Sequence, residues 1–350
     1  MKKQFYFLFF LLVLAGNTVN SQTTANLFIG NLNAPNPMII DGNEMYIGIY
    51  YLDKVIKVSI DNPTAPPVDV VTGVSRPYGL ALKDHILYIS EYGADRISKI
   101  NLNVPNPAPE LVINNVSSPL GLEFVGNELY IAANTANKIQ KIDISQPAPQ
   151  LIDVCPAILP FEIEIIGNSL YFTERMDGRV SMVKLNDTAP PTVVVQGLSY
   201  PSGLTSYGKE LFISEAGAAK ISKFNITESN PTVSDAVISS EFNYPSGLAT
   251  KNSTLFITDL FAGSLLKADL TSLSVSDLNL KNTTSSIYPN PAKDELTIIN
   301  PSSKDYKIFD MVGNLILSGK MERNRIDISQ LVKGAYIIQS GDLIKKFIKE

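Results

Sequence analysis

Carboxylates recur at one register of this 350-residue chain: Glu91, Glu174, Glu215 and Asp259 each close an apolar, aromatic-rich stretch such as ILYIS or ELFIS, and Asn134 stands in the equivalent place. Four carboxylates around one axis can bind a cation or act as acid/base pairs. The same residue types also accept backbone hydrogen bonds from a following loop, and repetition from copy to copy favours that structural use. Aromatic residues gather in the turns before these stretches and in the loops after them: Tyr50, Tyr51, Tyr78, Tyr92, Phe161 and Phe261, with Arg175 the one cation placed among them. Tyrosines beside a charge suit recognition of a peptide, glycan or protein surface. The absence of tryptophan weakens a sugar-stacking reading, and some of these rings serve equally well as packing between repeats.

Other chemistries lack their residues. The chain has one histidine, His85, and one cysteine, Cys155, so a His-rich or thiolate metal centre and an internal disulfide are excluded. Cys155 reads as a buried thiol and His85 as a solvent-facing turn residue. A Gly-rich phosphate loop, a Ser-His-Asp set and a nucleophile elbow are not visible. With 29 basic against 34 acidic residues and no basic block, nucleic acid is not expected as a partner.

The elements that must position these side chains repeat. A Pro-x-Gly-Leu-like turn, a short strand, a Gly-Asn-like hairpin and a Leu-Tyr-Ile strand recur from Pro35, Pro77, Pro119, Pro160, Pro201 and Pro245, at spacings of 42, 42, 41, 41 and 44 residues. That period fits a four-stranded propeller blade. The second strand of each copy, ILYIS or ELFIS, is apolar enough to be buried on both faces. The third, such as RISKINL from Arg96, alternates. Prolines at 63, 66, 67, 107 and 109 bend the chain afterwards and block edge pairing at the rim. NLFIGNL from Asn26 aligns with an outermost strand and is expected to complete the last blade, with Leu273 to Leu280 as the competing segment.

The wording LYISEYGADRISKI from Leu87 and LYFTERMDGRVSMV from Leu170 resembles the NHL-repeat and gluconolactonase-like six-bladed propellers. The resemblance implies a ligand-facing mouth formed by the turns leading into the innermost strands and the loops after the second strands. In the hydrolases of that group it also implies a divalent cation held by Asn, Asp and Glu. The lead-in positions here hold Asn36, Tyr78, Leu120, Phe161, Ser202 and Ser246, with one amide and no carboxylate, too few oxygens for a hard cation. No metal, cofactor or catalytic residue is therefore assigned. Tyr78, Glu91, Tyr92, Phe161, Glu174, Arg175, Glu215 and Asp259 are the ligand-binding candidates. The expected role is a binding or interaction module and not an enzyme; the alternative is a lactonase- or gluconolactonase-like hydrolase or lyase with an atypical site.

The two ends bear on location. Lys2 and Lys3 precede an apolar run from Phe5 to Ala15, of signal-peptide and not membrane-spanning length. Cleavage after Ser21 removes it and leaves no membrane span in the mature protein. Asn17, where a lipoprotein would have cysteine, offers no thiol for lipid. From Ser286 the chain reads SIYPNPAKDELTIIN, YKIFDMVGNLILSG, IDISQLVKGAYIIQSGD and IKKFIKE, alternating strands of a small Ig-like β-sandwich. Tyr288-Pro289-Asn290-Pro291, the Asp310-x-x-Gly313 turn, the L-x-x-Gly334-x-Tyr336 element and the basic last strand with Lys346 and Lys349 resemble the type A C-terminal sorting domain of the type IX secretion system of Bacteroidota. The whole is read as all-β: signal peptide 1–21, six-bladed β-propeller 22–280, linker 281–285 and sorting domain 286–350. The resemblance implies a secreted or outer-surface protein, partnered by the type IX machinery and by surface polysaccharide, glycan, peptide or protein.

Overall fold

Runs of β-branched and aromatic residues broken by Gly, Asn and Pro favour strands joined by tight turns. The computed structural model describes residues 22–273 and 286–350, apart from 300, 302, 311–314 and 342, and within them holds strands and three short 3-10 turns. No helix among the described residues is long and apolar enough to cross a membrane. The signal segment 1–21, the linker 281–285 and Gly313 lie outside the described residues. The chain divides into two units, residues 1–275 and 276–350.

The first unit is a six-bladed β-propeller. The second blade shows the plan: Pro77–Lys83, Ile86–Glu91, Arg96–Asn101 and Glu110–Asn114 follow one another antiparallel from the axis outwards. The other innermost strands are Pro35–Asp41, Pro119–Val125, Pro160–Ile166, Pro201–Tyr207 and Pro245–Lys251. They neighbour one another in ring order, the sixth lying against the first. In the sixth blade, Ser264–Asp269 takes as its outer neighbour the N-terminal strand Asn26–Ile29, with Asn26 opposite Lys267 and Ile29 opposite Leu265. The segment named as its competitor lies outside the described residues beyond Leu273. One pairing is not legible in the sequence: Thr23–Thr24 adds in parallel to Ser234–Ile238 of the fifth blade.

Close approach between blades explains the Pro-x-Gly signature. Each innermost strand breaks register after its proline. A Cβ on Gly79, Gly203 or Gly247 would stand 2.1, 2.1 or 2.0 Å from the carbonyl oxygen of Leu120, Ser246 or Asn36 in the next blade, so only glycine fits. A hydroxyl one residue before each acid satisfies the amide freed by the break. Ser214 Oγ accepts from Gly203 N at 2.7 Å and donates to Ser246 O at 2.6 Å; Thr258 Oγ1 accepts from Gly247 N at 2.9 Å and donates to Asn36 O at 2.8 Å. Thr173 makes the same bridge between Glu162 N and Ser202 O. These buried hydroxyls join neighbouring blades and leave no broken-ladder amide unpaired there.

The second unit packs two sheets over one core. Ser286–Tyr288, Glu295–Ile299 and Arg325–Asp327 form one; Leu315–Lys320, Asp305–Phe309, Gly334–Ser340 and Leu343–Lys349 form the other in that order. Leu296, Ile298, Ile308, Ile338 and Phe347 fill the space between them. The sequence motifs do structural work here. Asn290 Oδ1 accepts from Ile348 N at 2.9 Å and its Nδ2 reaches the Lys346 carbonyl at 3.3 Å, which ties the Tyr288-Pro289-Asn290-Pro291 segment to the last strand. Tyr336, which Gly334 precedes by one turn of the pleat, donates to Val332 O at 2.9 Å and stacks on Phe347.

Candidate functional site

Alternation along a strand decides which way neighbouring residues face, and here it separates the acids from the mouth. Glu91, Glu174, Glu215 and Asp259 end their second strands at 0, 2, 3 and 0 % exposure. Each turns into its own blade and receives the amide of the turn that leads into the innermost strand: Ser75 N to Glu91 at 2.8 Å, Ile158 N to Glu174 at 2.6 Å, Ser199 N to Glu215 at 2.7 Å, and Asn243 N to Asp259 at 2.8 Å. Arg96 forks onto Glu91 with two bonds of 2.8 Å. Arg179 and Ser181 bind Glu174, both at 2.5 Å, while Lys220 and Ser222 bind Glu215. Burial pushes the Glu174 carboxyl up, but Arg179, Ser181 and the Ile158 amide outweigh it and hold the group below the usual range. For Asp259 burial wins over the backbone donors and the carboxyl is raised.

The sequence offers these four acids as ligand-binding candidates; the geometry turns their oxygens onto amides and cations inside the blades instead. Asn134 is also corrected. It lies one residue beyond the acid register, where its blade has Ala133, and its amide donates to Pro160 O of the next blade at 3.0 Å.

In every blade but the fifth, where Ala216 stands, the residue after the acid register, which is Ile49 in the first blade and Ala133 in the third, lines the mouth. Tyr50, Tyr92, Asn134, Arg175 and Leu260 occupy that position, and with Tyr51, Tyr78, Leu120, Phe161 and Phe261 they line a cavity of about 250 Å³. Aromatic contacts run across it without a gap: Tyr50 to Tyr78 at 5.8 Å between centroids, Tyr78 to Phe161 at 5.1 Å, and Tyr92 within 6.3 Å of both tyrosines. The Arg175 guanidinium continues the line over Phe161 at 4.6 Å, Tyr244 at 5.3 Å and Tyr200 at 5.7 Å, and Phe261 packs on Tyr244. At the other end Arg76 lies over Tyr50 at 5.8 Å. The structure thus brings together Tyr78, Tyr92, Phe161 and Arg175. Tyr200 and Tyr244 were missed; both directly precede the proline of a lead-in turn, a signal present in the sequence.

The lead-in ring does not make a cation site. Asn36, Ser202 and Ser246 are 3, 1 and 1 % exposed, the remaining positions carry Tyr, Leu and Phe, and among the described residues no three His, Cys, Asp or Glu side chains converge as a ligand set. A hard cation finds too few oxygens there. His85 sits in the hairpin between Pro77–Lys83 and Ile86–Glu91, at the strand ends opposite the mouth, near Asp41 at 3.7 Å. Cys155 is buried, which pushes its thiol up to about 12.

A second polar group went unread in the sequence. Glu123, Glu162 and Glu164, all on innermost strands, line a central cavity of about 250 Å³ with Thr205 and Thr250. Burial first, then the neighbouring carboxylates, pushes Glu162 up to about 8; Glu123 rises to about 8 through burial and Glu164. Glu164 is raised by burial against two bonds from Ser206. Glu162 occupies the place that is glycine in four other lead-ins, and its Oε1 fills the space that a Cβ on Gly121 would need.

Residues 286–350 match the family described as the secretion system C-terminal sorting domain. No curated protein matches the chain significantly. Among solved structures, virginiamycin B lyase from Staphylococcus aureus shares 15% identity over 71% of this chain and 99% of its own, with a TM-score of 0.53. A gluconolactonase from Xanthomonas campestris shares 11% over 71% and 89%, with a TM-score of 0.60. An auxiliary nutrient binding protein from Bacteroides ovatus shares 12% over 71% and 76%, with a TM-score of 0.57. At these identities the likeness is one of fold. The C-terminal unit carries a secretion sorting signal, and the protein is exported to the cell surface or the extracellular space.

Proposed function

We propose that this exported propeller is a recognition module whose ligand enters the aromatic mouth, while the C-terminal domain addresses it to the type IX secretion machinery. One observation carries the reading: the acids that a hydrolase or lyase would need at the mouth are turned inside and occupied, so the mouth presents rings, amides and guanidinium. General acid/base catalysis requires a titratable group of suitable pKa within reach of the substrate; none of the lining residues is a carboxylate or a histidine, and burial raises the Tyr50 and Tyr78 phenols further from the neutral range. The Staphylococcus aureus lyase is catalytically inactive with one histidine changed to alanine; the single histidine here lies on the far face. The nutrient binding protein of similar fold fits the preferred reading.

The test pairs binding with turnover. Phe261 and Tyr51 are 57 and 62 % exposed, so Phe261→Ala and Tyr51→Ala are expected to fold. Peptides and glycans that stabilise the parent chain in a thermal-shift screen should lose that effect in both variants, and hydrolysis of simple lactones should stay at background with or without calcium. Lactone turnover above background, or ligand effects untouched by both variants, would overturn the proposal.

A further inference from the structure

We infer that the mouth takes an organic anion, a carboxylate borne on a flat ring, with the carboxylate on Arg175 and the ring against the aromatic belt. The inference rests on the recognition reading and names its ligand class. Four arginines occur in the propeller, and they divide cleanly. Arg96 is paired with Glu91 and Arg179 with Glu174 and Asp177. Arg76 and Arg175, the two at the mouth, have no carboxylate within ion-pair distance among the described residues and stand on aromatic faces instead. A guanidinium clamped by three rings keeps its planar fork ordered and its hydrogen-bonding edge open, which suits bidentate capture of a carboxylate at small entropic cost.

The surroundings agree. The recurring acids face away, and Glu162, the carboxyl that acts on Tyr78, is pushed up to about 8 by burial, which leaves Arg175 and Arg76 as the unpaired charges at the mouth of a chain of net charge −5. Burial raises the Tyr50 and Tyr78 phenols, so these rings add no negative charge to the mouth. Edge-to-face pairs at Tyr50–Tyr78 and Tyr78–Phe161 leave ring faces and edges for a further ring. About 250 Å³ holds a single-ring acid.

The full secreted chain is titrated by calorimetry with benzoate and with benzamide, which share one flat ring and differ in charge. The acid should bind roughly ten- to a hundred-fold tighter than the amide. Arg175→Gln should erase the difference, Arg175→Lys should keep part of it, and thermal unfolding of both variants should match the parent. Equal affinity for acid and amide, a preference that survives Arg175→Gln, or no binding of either overturns the anion assignment. Equal affinities that Phe261→Ala abolishes would leave recognition at the mouth standing without the anion, so the two readings fail separately.

Discussion

Glu162 and Glu123 are the residues whose ionisation should govern stability. Both carboxyls are raised to about 8 by burial in the central cavity, far above the range of an unfolded glutamate. A folded-state value above the unfolded one means that the folded state binds more protons between the two, so stability is greatest below the unfolded value and is lost as pH rises through about 8. Glu162→Gln keeps the shape and cannot ionise. It should match the parent at pH 4.5 and exceed it at pH 9 in urea denaturation; parallel curves from pH 4.5 to 9 would remove these groups from the account. The departure from glycine at 162 is plain in PFEIEII, but its meaning depends on Glu123 of the neighbouring strand, and single-strand alternation does not say which parity faces an axis. The mouth aromatics and Arg175 were legible because they fall in the lead-in turns and in the loops after the second strands, the two places that the repeat brings to one end of the blades.

At the scale of the blade, the repeated acid is a clamp between the end of the second strand and the turn that starts the first. Sequence reasoning recovered the period and the strand order, which follow from apolar alternation and proline placement, and offered the N-terminal strand as one of two segments for the last blade, a choice that the pairing of Asn26–Ile29 with Ser264–Asp269 decides. It left open whether the acid served ligand or backbone, because that choice depends on which face the last residue of a strand presents. Asn134 stands one position beyond the acid register, because its blade carries Ala133 there and offers no polar residue to mark the strand's end. The clamp has a measurable cost. Glu174→Ala strands the Ile158 amide and leaves Arg179 with only its 3.2 Å contact to Asp177, and breaking such a buried pair costs about 3–5 kcal/mol. Chemical denaturation should show that loss while affinity for a mouth ligand in the remaining folded protein holds. A stable variant with lost affinity would return Glu174 to the site.

A ring of blades is only as strong as its closing seam, and here two short N-terminal strands make it. Asn26–Ile29 covers the edge of Ser264–Asp269 and Thr23–Thr24 covers that of Ser234–Ile238, while Ser239 donates to Ala25 O at 3.0 Å between them. Without these strands two outer edges would offer unpaired amides and carbonyls, a template for association between copies. Removing residues 22–32 should therefore lower the unfolding midpoint and produce oligomers by light scattering. The opposite change should strengthen the ring. Asn26 and Lys267 face one another across the seam, and joining them through Asn26→Cys and Lys267→Cys links positions far apart in the chain, for which the chain-entropy account gives about 5–6 kcal/mol. Cys155 is buried with a raised thiol and should not compete for the new bridge. The oxidised variant should unfold at a higher temperature than its reduced form. A deletion that leaves the midpoint unchanged, or a bridge that forms without raising it, would mean that the packing of neighbouring innermost strands holds the ring by itself.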